Sequence, residues 1–279
     1  MSYSLTTTET TQARRSSMRT DVARLDLVGR RRAILGFTIG MGLYALVIIA
    51  LYPTFEHSTS LDRLTKDSPT MAALFGATGS LTSPSGWLNV NLYANLFPLF
   101  VLLATIGYGA SCLAGQDEEG TLALVAALPI RRRCIAVEKV VAMSVQSAII
   151  VVAVTAVIAL GNFFDVAVSA AVLWRASLGL FLLGIDLGLV ALAVGAATGR
   201  RGIAISVASA VAFASYLVSS LAPVVTWIRP VRFASLFYWS VGNNQLTVGL
   251  SLGELAVLVV VGVALGGVAI AAFERLDLH

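Results

Sequence analysis

Backbone inside a bilayer must satisfy its own hydrogen bonds, and this sequence has six apolar stretches long enough to face that demand: 33–52, 93–115, 140–160, 172–197, 203–224 and 252–273. Each holds roughly 20 residues or more, about 30 Å as a helix, which covers a hydrocarbon core. Only 12% of residues are charged and 57% are hydrophobic, against roughly 25% charged in soluble globular chains, so an all-α membrane protein of six transmembrane helices is predicted. The net charge of +4 is too dispersed to point to nucleic acid.

The connections differ in character. Residues 1–20 are Ser/Thr-rich and predict a disordered tail ahead of a single membrane domain, 21–279. Within 20–32, Val22, Leu25 and Val28 recur at helical spacing among charges, which predicts a short amphipathic helix on the membrane surface. Residues 53–90 predict a long loop with one short helix, and 226–249, interrupted by Pro230 and Gly242, a broken aromatic hairpin at the interface. Tight turning is expected at Gly199–Gly202, and Glu254 is expected to cap the last span. Cys112 and Cys134 form no disulfide scaffold and read as free thiols.

Basic residues set the orientation. With the N-terminus inside, fourteen Lys and Arg fall in interior segments and five in exterior ones (Arg63, Lys66, Arg175, Arg229 and Arg232), which predicts both termini in the cytoplasm. Tyr52, Trp87, Tyr93, Trp174, Trp227, Tyr238 and Trp239 then form an outer aromatic belt. The segment between spans two and three, Gly115–Lys139, is consequently cytoplasmic. It runs through Asp117, Glu118, Glu119, Gly120 and Thr121, an apolar stretch, Pro129, then Arg131, Arg132, Arg133 and Lys139. Acids at the start of a helix and cations after its end also suit the helix dipole on stability grounds alone.

Signals for catalysis are missing from the sequence. It contains no G-x-x-x-x-G-K-[ST] loop for ATP and no H-E-x-x-H or Cys/His metal cluster, and its two histidines are His57 and His279. Asp186 is the one acid near the middle of a span. A charged Asp there costs about 2.5–3.5 kcal/mol, so it must face the bundle interior, be protonated or find a partner. Two roles fit: a substrate or proton contact, or a neutral packing acid bonded to a neighbouring hydroxyl such as Ser215 or Tyr216. Gly36/Gly40, Gly184/Gly188, Gly195/Gly199 and Gly262/Gly266 are G-x-x-x-G pairs that permit close helix packing.

The ordered set at the elbow goes beyond what helix stability requires. Glu118, Glu119, Gly120, Thr121, Leu122, Leu124, Pro129, Ile130, Arg132 and Lys139 match a pattern close to E-E-x-G-T-L-x-L-L-x-x-P-[IV]-x-R followed by Lys, which resembles the signature region of ABC-2 type transporter permeases. Val125 and Ala126 depart from the commoner leucines. Six spans, the stretch PSGWLNVNLYANLFPLF, the broken SLFYWSVGNNQLTVG and the closing FERLDL extend the resemblance over residues 20–279.

The resemblance implies a membrane subunit of an ABC exporter that pairs with a second permease copy or paralogue. It implies a cytoplasmic coupling helix in the elbow, seated on a separate ATPase subunit that binds ATP and Mg. Asp117, Glu118, Glu119, Gly120, Thr121, Pro129, Arg131, Arg132, Arg133 and Lys139 would be the coupling residues, in a multi-pass protein of the cell membrane. The few polar groups in the spans favour a hydrophobic or amphipathic cargo; the alternative is a proton-coupled carrier using Asp186. The topology is checked with a membrane-impermeant maleimide on intact cells. A Ser60→Cys variant lacking Cys112 and Cys134 should label, and a cysteine added after His279 should label only in permeabilised cells.

Overall fold

The computed structural model describes residues 4–56, 81–118, 120, 132–242 and 245–275, with side chains from Ala23 onward. All regular structure among these residues is helical. Six helices are long and apolar enough to cross a membrane: Ala23–Phe55, Pro84–Glu118, Arg132–Phe164, Ala170–Thr198, Arg201–Leu221 and Leu252–Glu274, spans one to six. The chain is therefore built as a multi-pass helical membrane protein.

Span one differs from its expected outline. It is part of one helix, Ser4–Phe55, which runs on ahead of the apolar stretch. The sequence has no glycine before Gly29 and no proline before Pro53, and extending a helix already nucleated by a packed span is far easier than starting one. Leu25 and Val28 point away from the bundle, whereas Asp26 and Arg30 turn toward it.

Span two starts earlier than hydropathy places it, at Pro84. Ser83 caps its first turn by accepting from the Gly86 N–H at 3.1 Å, and Trp87 donates its indole N–H to the Ile48 carbonyl of span one at 2.9 Å. Two π turns, Asn89–Tyr93 and Ser111–Gly115, interrupt its α-helix. Residues 226–248 form short pieces, Thr226–Ala234, Leu236–Ser240 and Gln245–Val248, as the interrupted sequence predicts. Arg232 lies over the rings of Phe233 and Tyr238, at 4.8 and 5.1 Å. Ser251 and Glu254 start span six as a reciprocal capping box.

Span four is the packing centre, in contact with spans two, three, five and six. Its glycines make that possible. A Cβ at Gly184 would stand 2.5 Å from Val101 Cγ1, and one at Gly188 2.6 Å from Met143 Sδ. Gly109 of span two lies so close to the Gly188 carbonyl that no Cβ fits between them. The Gly184/Gly188 pair thus serves packing within the chain, whereas Gly36 and Gly266 face open space. Near the far end, Tyr93, Ser177 and Thr155 bond in series at 2.7 Å each, joining spans two, four and three.

Spans one, five and six keep broad apolar faces outward, with Leu43, Phe213 and Val263 among the exposed side chains. No other described part of the chain covers these surfaces. Gly109→Val should force spans two and four apart, lowering stability by roughly 1–3 kcal/mol, seen as a lower thermal unfolding midpoint in detergent.

Candidate functional site

The elbow's apolar core, together with Glu119, Thr121, Pro129 and Arg131, lies outside the described residues. Its two flanks are described, and a cluster of polar contacts between spans gathers there. Gln116–Glu118 completes span two, and Gly120, at φ +69°, donates its N–H to the Asp117 carbonyl at 2.9 Å. Only glycine enters that left-handed turn without strain, which gives Gly120 of the motif a backbone reason.

Lys139, at the other flank, is 1% exposed. Its ammonium donates to both carboxylate oxygens of Asp26, at 3.0 and 2.8 Å, and to Gln116 Oε1 at 3.1 Å. Tyr108 donates its hydroxyl to Asp26 Oδ2 at 2.6 Å. Arg30 donates to Ser111 Oγ and lies 4.7 Å over the Tyr108 ring. A buried cation thus has a carboxylate partner and further polar bonds, the condition under which burial of an ion pair is tolerated. Two residues at the ends of the elbow, Gln116 and Lys139, are bonded to each other, and span one is locked onto that junction.

The π turn at Ser111–Gly115 explains how span two supplies two partners to one cluster. Eight residues of α-helix separate Tyr108 and Gln116 by about 80° in azimuth; the extra residue of a π turn brings that to roughly 20°. Both side chains then face the same ion pair.

Two more bonds tie the elbow's flanks to other spans. Glu118 accepts from the backbone N–H of Arg201 at 2.9 Å, capping the first turn of span five with a carboxylate, where the helix dipole favours it. Arg133 forms a bidentate ion pair with Glu274 at the end of span six. That pair is exposed, Arg133 at 71%, so it aligns two helix ends more than it stabilises the fold. Asp117 and Glu118 also border a cavity of about 560 Å³ with Gly199, Arg200, Gly202 and Ile203. The Gly199–Gly202 turn itself closes with Gly199 at φ +63°, its N–H bonded to the Gly195 carbonyl at 2.9 Å. The beginning of span one, both elbow flanks, the span four to five turn and the end of span six therefore meet at one end of the bundle.

The expected coupling residues separate accordingly. Glu118 is exposed at this end, Asp117 and Arg132 are half-buried, Arg133 is paired, and Lys139 is inside. Cys112 is buried and Cys134 half-buried, both free. Asp26, Tyr108, Gln116, Arg30 and Glu274 were not singled out by sequence. The signal was present for Asp26, an acid one helical face away from Leu25 and Val28, in a segment otherwise dominated by arginine.

Asp186 is elsewhere. It is 1% exposed, neither carboxyl oxygen has a hydrogen-bond partner, and it faces Gly262 of span six. The hydroxyl partners expected for it are engaged otherwise: Tyr216 donates to Asn95 Oδ1 at 2.8 Å, and Ser215 pairs with Ser235 at 3.0 Å. They lie on span five and serve its contacts with span two and the short helices that follow it. A separate apolar cleft of about 520 Å³ opens between spans two and five, bordered by Asn95, Leu99, Leu103, Phe213 and Tyr216.

No protein-family model matches the chain, and no curated protein matches it. The fold and the elbow-end cluster define a six-span helical membrane protein with a buried ion pair at the base of one inter-span connection.

Replacing one partner of the Lys139–Asp26 pair strands the other in the interior. Asp26→Asn should cost about 3–5 kcal/mol, and the double variant Asp26→Asn/Lys139→Met should recover most of that loss. A thermal-unfolding double-mutant cycle in detergent reads the coupling directly.

Proposed function

We propose that this chain is the membrane-spanning permease subunit of an ATP-driven ABC exporter, moving a hydrophobic or amphipathic substrate outward with energy supplied by a separate ATPase subunit. The observation that carries this reading is the elbow: its residues resemble the ABC-2 signature, and its flanks are bonded to spans one, five and six through Lys139–Asp26, Glu118–Arg201 and Arg133–Glu274. A push on such a segment reaches most of the bundle without any further linkage. This is the arrangement a subunit without its own nucleotide site requires.

In this reading the motor binds ATP and Mg and docks on the cytoplasmic elbow, touching Asp117, Glu118, Glu119, Gly120 and Thr121, with Pro129 ending the coupling helix and Arg131 and Arg132 at the rim. Lys139 acts from inside, holding the base of the elbow. Arg133 sets the angle between spans three and six. A second permease copy or paralogue covers part of the outward apolar faces, in the cell membrane with both termini cytoplasmic.

A proton-coupled carrier is the second reading, and the unpaired Asp186 carboxyl favours it. One experiment separates the two. In vesicles carrying this chain with a co-expressed P-loop ATPase, Glu119→Lys should insert normally and lose ATP-driven efflux. Normal efflux by that variant, or transport by the chain alone under a proton gradient, overturns the ATP-driven reading.

A further inference from the structure

Span four carries a carboxyl group that the elbow does not explain. Asp186 lies 16 residues into the helix Ala170–Thr198 and 12 before its end, close to mid-depth in a bilayer. The side chain is shut away from the surface of the bundle, and both its oxygens lack a donor. Opposite it, span six presents Gly262, where a Cβ would stand only 2.7 Å from Oδ1. The glycine leaves a niche in span six shaped to one acid side chain.

Among the described residues no counter-ion reaches this niche. On span four itself the nearest cation is Arg175, 11 residues away and so roughly 16 Å along the helix. On the neighbouring spans, Lys139 is bonded to Asp26, Tyr108 to Asp26, Tyr93 to Ser177 and Tyr216 to Asn95. Arg133 and Glu274 hold each other, and Glu254 caps the far end of span six. Cys112 and Glu138 belong to the elbow ends of spans two and three, Arg201 to the first residue of span five, and Tyr238 to a short helix beyond the spans. A carboxylate with neither a cation nor a protein donor at this depth is the least stable form the group can take.

We propose that Asp186 is a proton-binding site between spans four and six, holding its proton while the two helices are in contact and releasing it only when they part. Among the described residues no group of three or more His, Cys, Asp or Glu stands together, so Asp186 has too few carboxylate or thiolate partners for a metal ion, and the ligand is the proton itself. Release separates H⁺ from the carboxyl oxygen and leaves a carboxylate that water must solvate; parting of spans four and six at Gly262 admits that water. Uptake reverses both steps. The site does not depend on the ATP-driven reading, because it needs neither the elbow nor a motor.

The test uses the full chain in lipid nanodiscs. Infrared spectra of wild type and Asp186→Asn at neutral pH should differ by the carbonyl stretch of an un-ionised carboxylic acid, present in wild type and lost in the variant. In wild type alone, the membrane-soluble reagent dicyclohexylcarbodiimide should form an adduct that peptide mass spectrometry maps to Asp186, with a yield that falls as pH is raised. That second arm stands even where the variant does not fold. A carboxylate band in place of the acid band, or the absence of any adduct at Asp186 across the pH range, overturns the proposal.

Discussion

A single ammonium group organises one end of this protein. Lys139 sits where water does not reach, and a buried cation is tolerated only if its partners come to it. They come from two other helices: Asp26 from span one, and Gln116 and, through Asp26, Tyr108 from span two, to meet Lys139 on span three. The geometry of the elbow end follows. Span one has to continue as a helix well before its membrane segment to deliver Asp26, and span two has to change register at Ser111–Gly115 to present both of its contributors.

The rest of the bundle is held by different physics. Around span four there is little polar bonding and much close contact, with Gly109, Gly184 and Gly188 letting backbones and side chains meet where any larger residue would stand them apart. In hydrocarbon, lipid tails compete equally with leucine for apolar contact, so close fit and hydrogen bonds have to supply the association. The molecule accordingly divides into a polar junction at the elbow end and a tightly fitted middle. The Tyr93–Ser177–Thr155 series adds a smaller polar tie toward the far end.

How much of this the sequence reveals depends on range. The six spans are legible because hydropathy is a local property and each stretch announces itself within about twenty residues. The Gly199 turn and the Ser251–Glu254 cap are equally local and equally readable. The Asp26–Lys139 pair joins residues more than a hundred positions apart, and no spacing rule connects them; Leu25 and Val28, the apolar neighbours that drew attention to the segment, turn out to face outward. Asp186 is intermediate. Its depth is visible in the sequence, but its partner is a glycine, and an absent side chain leaves no pattern to search for. The start of span two was misplaced for a related reason: Asn89, Asn91 and Asn95 lower its hydropathy, yet Asn91 and Asn95 bond the backbone of their own turns, so the helix absorbs them.

The π turn at Ser111–Gly115 bears on how such a chain can change over time. Substitutions there alter little that the cluster uses, apart from Ser111, because the turn contributes spacing more than chemistry. Deleting one residue would leave the span as apolar and nearly as long, and every hydropathy profile would look unaltered, yet Gln116 would swing away from Lys139. At this point in the protein the number of residues is under tighter constraint than their identity, since a one-residue deletion in the turn would part Gln116 from Lys139 where substitutions at Cys112, Leu113 or Ala114 would keep the spacing.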